Sequence, residues 1–245
     1  MAQFNIAHLY PDLMNLYGDR GNLICLQKRL EWRGQECRIQ NVGLGQSIDF
    51  AAIDMVFMGG GSDREQGLVY ADLIKRAEEF RQAIETDLPV LCICGAYQLL
   101  GQAYISADGQ RLRGLGFFDF TTQGSQPRLI GNILVETELG GQTTTVVGFE
   151  NHGGRTFLND ARLKPFGRVL KGYGNNGQDG FEGIKYRNLI GTYLHGPLLP
   201  KNPVVADFFI KAMAVRRGMD ANITPLYDAI ETFAHQQVKY KILNS

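Results

Sequence analysis

The chain has 245 residues, 44% of them apolar, and its 25 basic side chains balance 25 acidic ones. That size and composition suit one globular domain, and a net charge of zero gives neither nucleic acid nor an anionic membrane surface a broad electrostatic hold. The four cysteines, Cys25, Cys37, Cys92 and Cys94, form no Cys-x-x-Cys pair and have no histidine at ligand spacing, so no metal site is expected and a reducing cytoplasm fits the thiols best.

The opening segment carries no basic stretch before an apolar core, and no apolar run reaches the ~18 residues of a spanning helix, so neither secretion nor membrane insertion is expected. FNIAHLY (4–10) reads as a strand, GNLICLQKRLEWRG (21–34) as an amphipathic helix stopped by Gly34, and ECRIQNV (36–42) as a second strand. IDMVFMGGG is an apolar strand over 54–58 that runs into three glycines. YADLIKRAEEFRQAIETD (70–87) places Leu73, Ala77, Phe80 and Ile84 at helical spacing, and LPVLCI (88–93) is a short, fully apolar strand. Apolar strands separated by helices imply a parallel sheet buried on both faces. The second half changes texture: GNILVETEL, TTVVGFEN, GIKYRN and LIGTYLHG are closely spaced strands with glycine turns, and helices follow near 203–217 and 225–240. No repeat or Pro/Ser-rich linker divides the halves. The expectation is a single α/β domain over 1–245, built on one mixed, mostly parallel sheet covered by helices on both faces.

Strand 88–93 leads to Cys94, and GAYQLLGQAY beyond it reads as a helix, which puts the thiol on a strand-to-helix turn of the nucleophile-elbow kind. Such a turn needs small neighbours two residues before and after; here they are Cys92 and Ala96. A helix N-terminus favours the thiolate of a cysteine placed there, whereas Cys92 reads as an inert strand thiol. A nucleophilic thiol needs a base and oxyanion donors. His8 and His235 fall in the first strand and the last helix, where packing roles are expected. His152 in GFENHGGRT and His195 in GTYLHGPL each follow an apolar strand and precede a glycine, and spacing does not choose between them. Gly59, Gly60 and Gly61 offer amides that can converge with that of Gly95.

CICGAYQ resembles the Gly-x-Cys-x-Gly-x-Gln elbow of class I (triad) glutamine amidotransferases, which implies Cys94 as nucleophile and Gln98 at the glutamine-contacting position; the glycine amides that would then hold the oxyanion are expected to be those of Gly60, Gly61 and Gly95. GTYLHG resembles the histidine strand of the cobyric acid synthase-like branch and assigns the base to His195. GFENHGGRT resembles that branch's intervening segment and leaves His152 structural. With MNLYGDRGN, GGGSDRE, YGNN and GTYLHGPLLPKN, residues 5 to 203 resemble the family of glutaminase subunits of lipid II isoglutaminyl synthases. There an arginine in an Arg-Leu-x-Gly segment contacts glutamine, and Arg128 in PRLIG matches it.

The resemblance implies hydrolysis of L-glutamine in the cytoplasm. The ammonia would go to a Mur-ligase-like synthetase subunit of the MurT type, as a heterodimer, which amidates the D-glutamate α-carboxylate of lipid II at the inner face of the membrane. ATP and Mg are expected on that partner: this chain has no Gly-x-x-x-x-Gly-Lys-Ser/Thr, and no cofactor is expected in it. One departure stands out. Many class I enzymes carry His-x-Glu, but Gly196 and Pro197 follow His195. The orienting acid is therefore expected from Asp19, Glu150 or Glu182, or from the partner, in which case the chain alone is a poor glutaminase. Rival readings are an amidotransferase for cobyric acid-type synthesis, normally fused behind an ATP-binding domain for which this chain leaves no room, and a catalytically silent module on the same fold. A Cys–His peptidase is disfavoured by Gln98 and Arg128, which suit a free amino acid with a carboxylate.

Overall fold

The computed structural model describes residues 3–244. In chain order the elements are β1 (Gln3–Leu9), α1 (Gly21–Glu31), β2 (Glu36–Val42), β3 (Met55–Met58), α2 (Asp63–Leu73), α3 (Ala77–Glu85), β4 (Val90–Ile93), α4 (Gly95–Leu99), β5 (Ala103–Ile105), β6 (Arg111–Arg113), β7 (Phe120–Leu139), β8 (Gln142–Leu158), β9 (Gly167–Lys171), β10 (Phe181–Glu182), β11 (Ile184–Tyr186), β12 (Leu189–Thr192), β13 (Leu194–His195), α5 (Pro203–Arg216) and α6 (Ala229–Leu243). The fold is mixed α/β. A six-stranded sheet runs β11-β12-β4-β3-β1-β2, parallel throughout except at the β11 edge.

Its central strands are buried on both faces, which is why they read as continuous apolar runs. Val56, Met58, Val90 and Cys92 enter the core packed by α2, α3 and α4. Their alternates Met55, Phe57, Leu91 and Ile93 enter the core packed by α1, α5 and part of a second sheet. Burying a side chain of this size contributes about 1.5–3 kcal/mol, so a one-residue slip in β3 or β4 would exchange two filled cores at once. Buried Arg29 on α1 ties down the C-terminal helices: it donates to Asp207 of α5 at 2.8 and 2.9 Å and to Asp228, just before α6, at 2.7 and 2.8 Å.

Three expectations are corrected. Instead of one mixed sheet there are two, the second running β10-β9-β7-β5-β6 with β8 paired to β7 and β13; the long β7–β8 hairpin is its backbone. The helix read over 70–87 is two helices, because Arg76 adopts a non-helical φ of −125° and a 3-10 turn over Ile74–Arg76 separates α2 from α3. Finally, the helix after Cys94 stops at Leu99: Gly101 lies so close to the Phe120 ring that no side chain fits there, and the chain turns into β5. LIGTYLHG is likewise split. Its first half, β12, completes the parallel sheet beside β4, and its second half, β13, crosses to pair with β8, so His195 sits where the chain changes sheets.

Candidate active site

The carboxyl ends of β12, β4, β3 and β1 lie side by side, the usual place for a site in an open parallel sheet. Cys94 closes β4 at φ 53°, ψ −107°, a region that costs a non-glycine residue about 1–3 kcal/mol. The surroundings hold it there: its N–H donates to Thr192 O at 2.8 Å and its carbonyl accepts from Gln98 N at 3.0 Å. Its side chain is half-buried. The other thiols are unsuited to chemistry, since burial pushes Cys25 and Cys37 up to about 12 and Cys92 further still.

His195 is 1% exposed and lies between Asp19 and Cys94. Its Nδ1 donates to Asp19 Oδ1 across 3.3 Å, which leaves Nε2 for the thiol. Asp19, fully buried, uses its second oxygen to accept the Gly60 N–H at 2.9 Å. The crowding is tight: a Cβ on Gly60 would stand 3.2 Å from His195 Cε1 and 3.3 Å from Cys94 Cβ. Burial alone would lower the His195 pKa, but the Asp19 carboxylate and Cys94 outweigh it and hold the imidazole up at about 10. Near neutrality the site therefore favours imidazolium beside sulfur, the partner that a thiolate needs.

The orienting acid thus stands in this chain and does not have to come from a second subunit. Pro197, where a glutamate stands in many class I enzymes, shows why. It packs on Gly21, where a Cβ would come within 2.5 Å of its ring. Asn22 completes the join, donating to Asp19 O at 3.0 Å and accepting Leu199 N at 2.8 Å. Residues 19–22 are docked on 195–199, and that docking brings carboxylate to imidazole.

Glu150 and Glu182, the other candidates, are spent elsewhere. Glu150 accepts the amides of Tyr173 and Gly174 at 2.8 and 2.9 Å. Glu182 accepts Thr192 Oγ1 at 2.6 Å and Tyr193 N at 2.7 Å, serving a backbone amide at the point where the chain leaves one sheet for the other; burial pushes its pKa up to about 8. Gly60 as an oxyanion donor is also corrected, because its N–H is already given to Asp19. Gly61 and Gly95 remain the candidate donors. His152 is buried, stacked on Tyr193 with centroids 3.7 Å apart, and donates Nδ1–H to Gly154 O at 2.8 Å; it is a packing group. His235 bridges Thr145 and Lys201 O, and His8 is buried against Phe57.

The profile of the CobB/CobQ-like glutamine amidotransferase domain matches residues 5–203. The chain belongs to that family. It is 45% identical over 219 residues, covering 89% of this chain and 88% of the relative, to the GatD subunit of lipid II isoglutaminyl synthase (glutamine-hydrolyzing) of Staphylococcus aureus. Identity to the Streptococcus pneumoniae protein of the same name is 41%, covering 93% and 87%. A probable cobyric acid synthase of Methanothermobacter thermautotrophicus is 30% identical over 76% of this chain but only 38% of its own length. Among solved structures, a Thermotoga maritima glutamine amidotransferase (TM-score 0.53, 14% identity, 97% of this chain and 92% of that one) and the glutaminase domain of Trypanosoma brucei CTPS (TM-score 0.55, 12% identity, 90% and 96%) share the fold.

Two further positions matched by motif in this family lie around the elbow. Exposed Arg128 on β7 is fixed by Asn151, donating Nε–H to its Oδ1 at 2.9 Å and Nη2–H to its carbonyl at 2.7 Å. Arg128 Nη1 lies beside Gly153, and the next residue, Gly154, packs against Gln98. Gln98 is buried, and its amide is held at both ends: Oε1 accepts from Gln66 and Nε2 donates to Tyr193 Oη, each at 3.1 Å. Tyr193 and Asn151 stand inside GTYLHG and GFENHGGRT, and Gln66 directly follows GGGSDRE, but the motifs gave none of the three a role of its own. Gln66 lies on α2, whose start the sequence does signal: Ser62 and Glu65 form a capping box.

Proposed function

We propose that this chain hydrolyses the side-chain amide of L-glutamine and delivers the ammonia to a separate Mur-ligase-like, ATP- and Mg-dependent synthetase subunit of the MurT type. That partner amidates the D-glutamate α-carboxylate of the lipid II stem peptide in peptidoglycan synthesis, at the cytoplasmic face of the membrane. The observation that carries the hydrolysis is the Cys94–His195–Asp19 relay beside the Gly61 and Gly95 amides. The acceptor rests on the names of two relatives matched over most of both chains. No helix among the described residues is long and apolar enough to cross a membrane, so the lipid-linked substrate would be held by the partner.

With the Cys94 thiol proton held on His195, the thiolate attacks the amide carbon of glutamine while the Gly61 and Gly95 amides hold the oxyanion. The imidazolium then gives its proton to the departing nitrogen, the C–N bond breaks, and ammonia leaves a thioester behind. Water activated by His195 attacks the thioester, the C–S bond breaks, and L-glutamate and the thiol are released. Asp19 holds the imidazole in the orientation that both transfers need. Arg128 pairs with the α-carboxylate of glutamine, and Gln98 lines the pocket wall behind the elbow.

Treating the purified chain with a glutamine-analogue electrophile and mapping the adduct by mass spectrometry tests this reading. The label is expected on Cys94, and Cys94→Ser should release no glutamate while keeping the fold. Adducts on Cys92 or Cys25 instead would overturn the assignment.

A further inference from the structure

The loop between β1 and α1 has two sides. Its inner side clamps the glycine turn after β3: Leu16 N donates to Gly60 O at 3.1 Å, the Met14 and Leu13 carbonyls press on Gly59 and Gly61, and Asp19 accepts the Gly60 amide. The outer side walls a cavity of about 490 Å3 that the glutaminase chemistry leaves unused. The polar groups around this cavity are His8, Asp12, Asn15, Arg20, Gln27 and Asn41.

Three features of that wall belong together. Asp12 and Arg20, both exposed, carry opposite charges on one cavity, and among the described residues neither side chain has an ion-pair partner. His8 is buried, 2% exposed, and its Nε2 has no hydrogen-bond partner among the described residues, a state that is costly for a buried group unless something else satisfies it. Burial and the nearby Arg20 hold that imidazole neutral, pushing it down to about 4, so it can exchange a hydrogen bond without adding charge. A lone anion would meet Asp12, and a lone cation would meet Arg20. A ligand carrying an ammonium and a carboxylate on one small frame satisfies both.

We infer that this cavity is a binding site for a free amino acid, with Arg20 taking the carboxylate, Asp12 the ammonium, and His8 with the neighbouring amides completing the contacts. The site communicates with the catalytic centre through one peptide bond. Arg20 points its chemistry outward while Asp19, its neighbour, is fully buried against His195. A ligand that grips Asp12 and Arg20 clamps both ends of the loop and so holds Asp19 in register with His195, raising the rate of glutamine hydrolysis. This rate effect rests on the glutaminase reading; binding itself does not.

The probes are glycine, L-alanine and L-glutamate, with acetate and methylammonium as the two half-ligands. Binding is read from the imidazole 15N signals of His8 in the full chain and by calorimetry. At least one amino acid should bind saturably and shift the His8 signals. Arg20→Gln and Asp12→Asn, both at exposed positions, should each weaken it tenfold or more, and neither half-ligand should match it. In the kinetic arm, saturating glycine or L-alanine, whichever binds, should raise kcat for glutamine at least twofold in the parent chain and leave Arg20→Gln unresponsive. If no amino acid moves the His8 signals, or if both variants bind as the parent does, the site is overturned. If binding is intact but kcat does not respond, the coupling is overturned. A chain that binds the probe yet hydrolyses no glutamine would sink the glutaminase reading and leave the site standing.

Discussion

Two buried histidines in this molecule stand beside buried carboxylates, and they are put to opposite uses. His195 faces Asp19 at 3.3 Å and His152 faces Glu150 at 3.8 Å, with all four side chains no more than 1% exposed. His195 is held in its charged form, while burial pushes His152 the other way. The difference lies in what else each group touches. Glu150 spends its oxygens on two backbone amides, and His152 gives Nδ1–H to a carbonyl and its ring face to Tyr193. Asp19 keeps an oxygen for the imidazole, and His195 is left a nitrogen for Cys94. A histidine beside a carboxylate becomes a catalytic base only when its remaining nitrogen meets a reacting group.

Removing each ring should separate the two roles most sharply. His195→Ala is expected to lower kcat/KM for glutamine by at least ~10²–10⁴-fold with little change in denaturant midpoint. His152→Ala should instead lose about 2–4 kcal/mol of stability, as deletion of a stacked core ring does, while its folded fraction stays active. Steady-state kinetics beside urea unfolding would reveal the reverse ranking, and that ranking would break the comparison.

Asp19→Asn comes next. It keeps the shape and deletes the charge, so kcat should fall by up to ~10⁴-fold, as loss of the orienting acid does in serine-protease triads, with KM nearly constant. The same variant carries a pH signature. Since the Asp19 carboxylate helps hold His195 up at about 10 against its burial, the alkaline limb of the kcat/KM profile should move toward neutrality in the variant. A profile that kept its limb would mean that the acid lies elsewhere.

Arg128→Ala should act on binding rather than chemistry, raising KM for glutamine about tenfold or more while kcat changes little. An unchanged kcat/KM would reduce Arg128 to a surface group tethered by Asn151. The smallest effect is expected from Glu182→Gln, which tests a carboxyl that orients the His195 strand without touching substrate. Burial raises the folded-state pKa of Glu182 to about 8, so its contribution to stability is fully present below its unfolded value of about 4.5 and is lost as pH rises through the folded value. Thermal unfolding from pH 6 to pH 9 should find the parent chain losing ground to the variant as pH rises; parallel curves would show that the carboxyl does not titrate there.

Much of this was legible in the sequence because the relevant signals are local. The strand runs that became β1, β2, β3 and β4 are contiguous, and the Cys94 elbow needs only its own neighbours. Asp19 was readable only as one acid among three, since its partner lies 176 residues away and no spacing rule reaches that far. Gly60 shows the same limit: a glycine triplet announces free amides, but not that one of them is already committed to a carboxylate. The first half of β7 was missed because TTQGSQPRLIG is polar and broken by Pro127, and only the pairing with β8 makes it a strand. The second sheet went unseen for the same reason, since a chain that crosses between sheets at Tyr193 leaves no mark on an apolar run.

The dispersal of the relay along the chain also bears on the life of the protein before it is finished. Translation delivers Asp19 first, the Cys94 thiol next and His195 only after most of the chain has been made, and β12, which positions that histidine, must then insert beside β4. A nascent or truncated chain that ends before His195 therefore holds a nucleophile without its base and releases ammonia poorly.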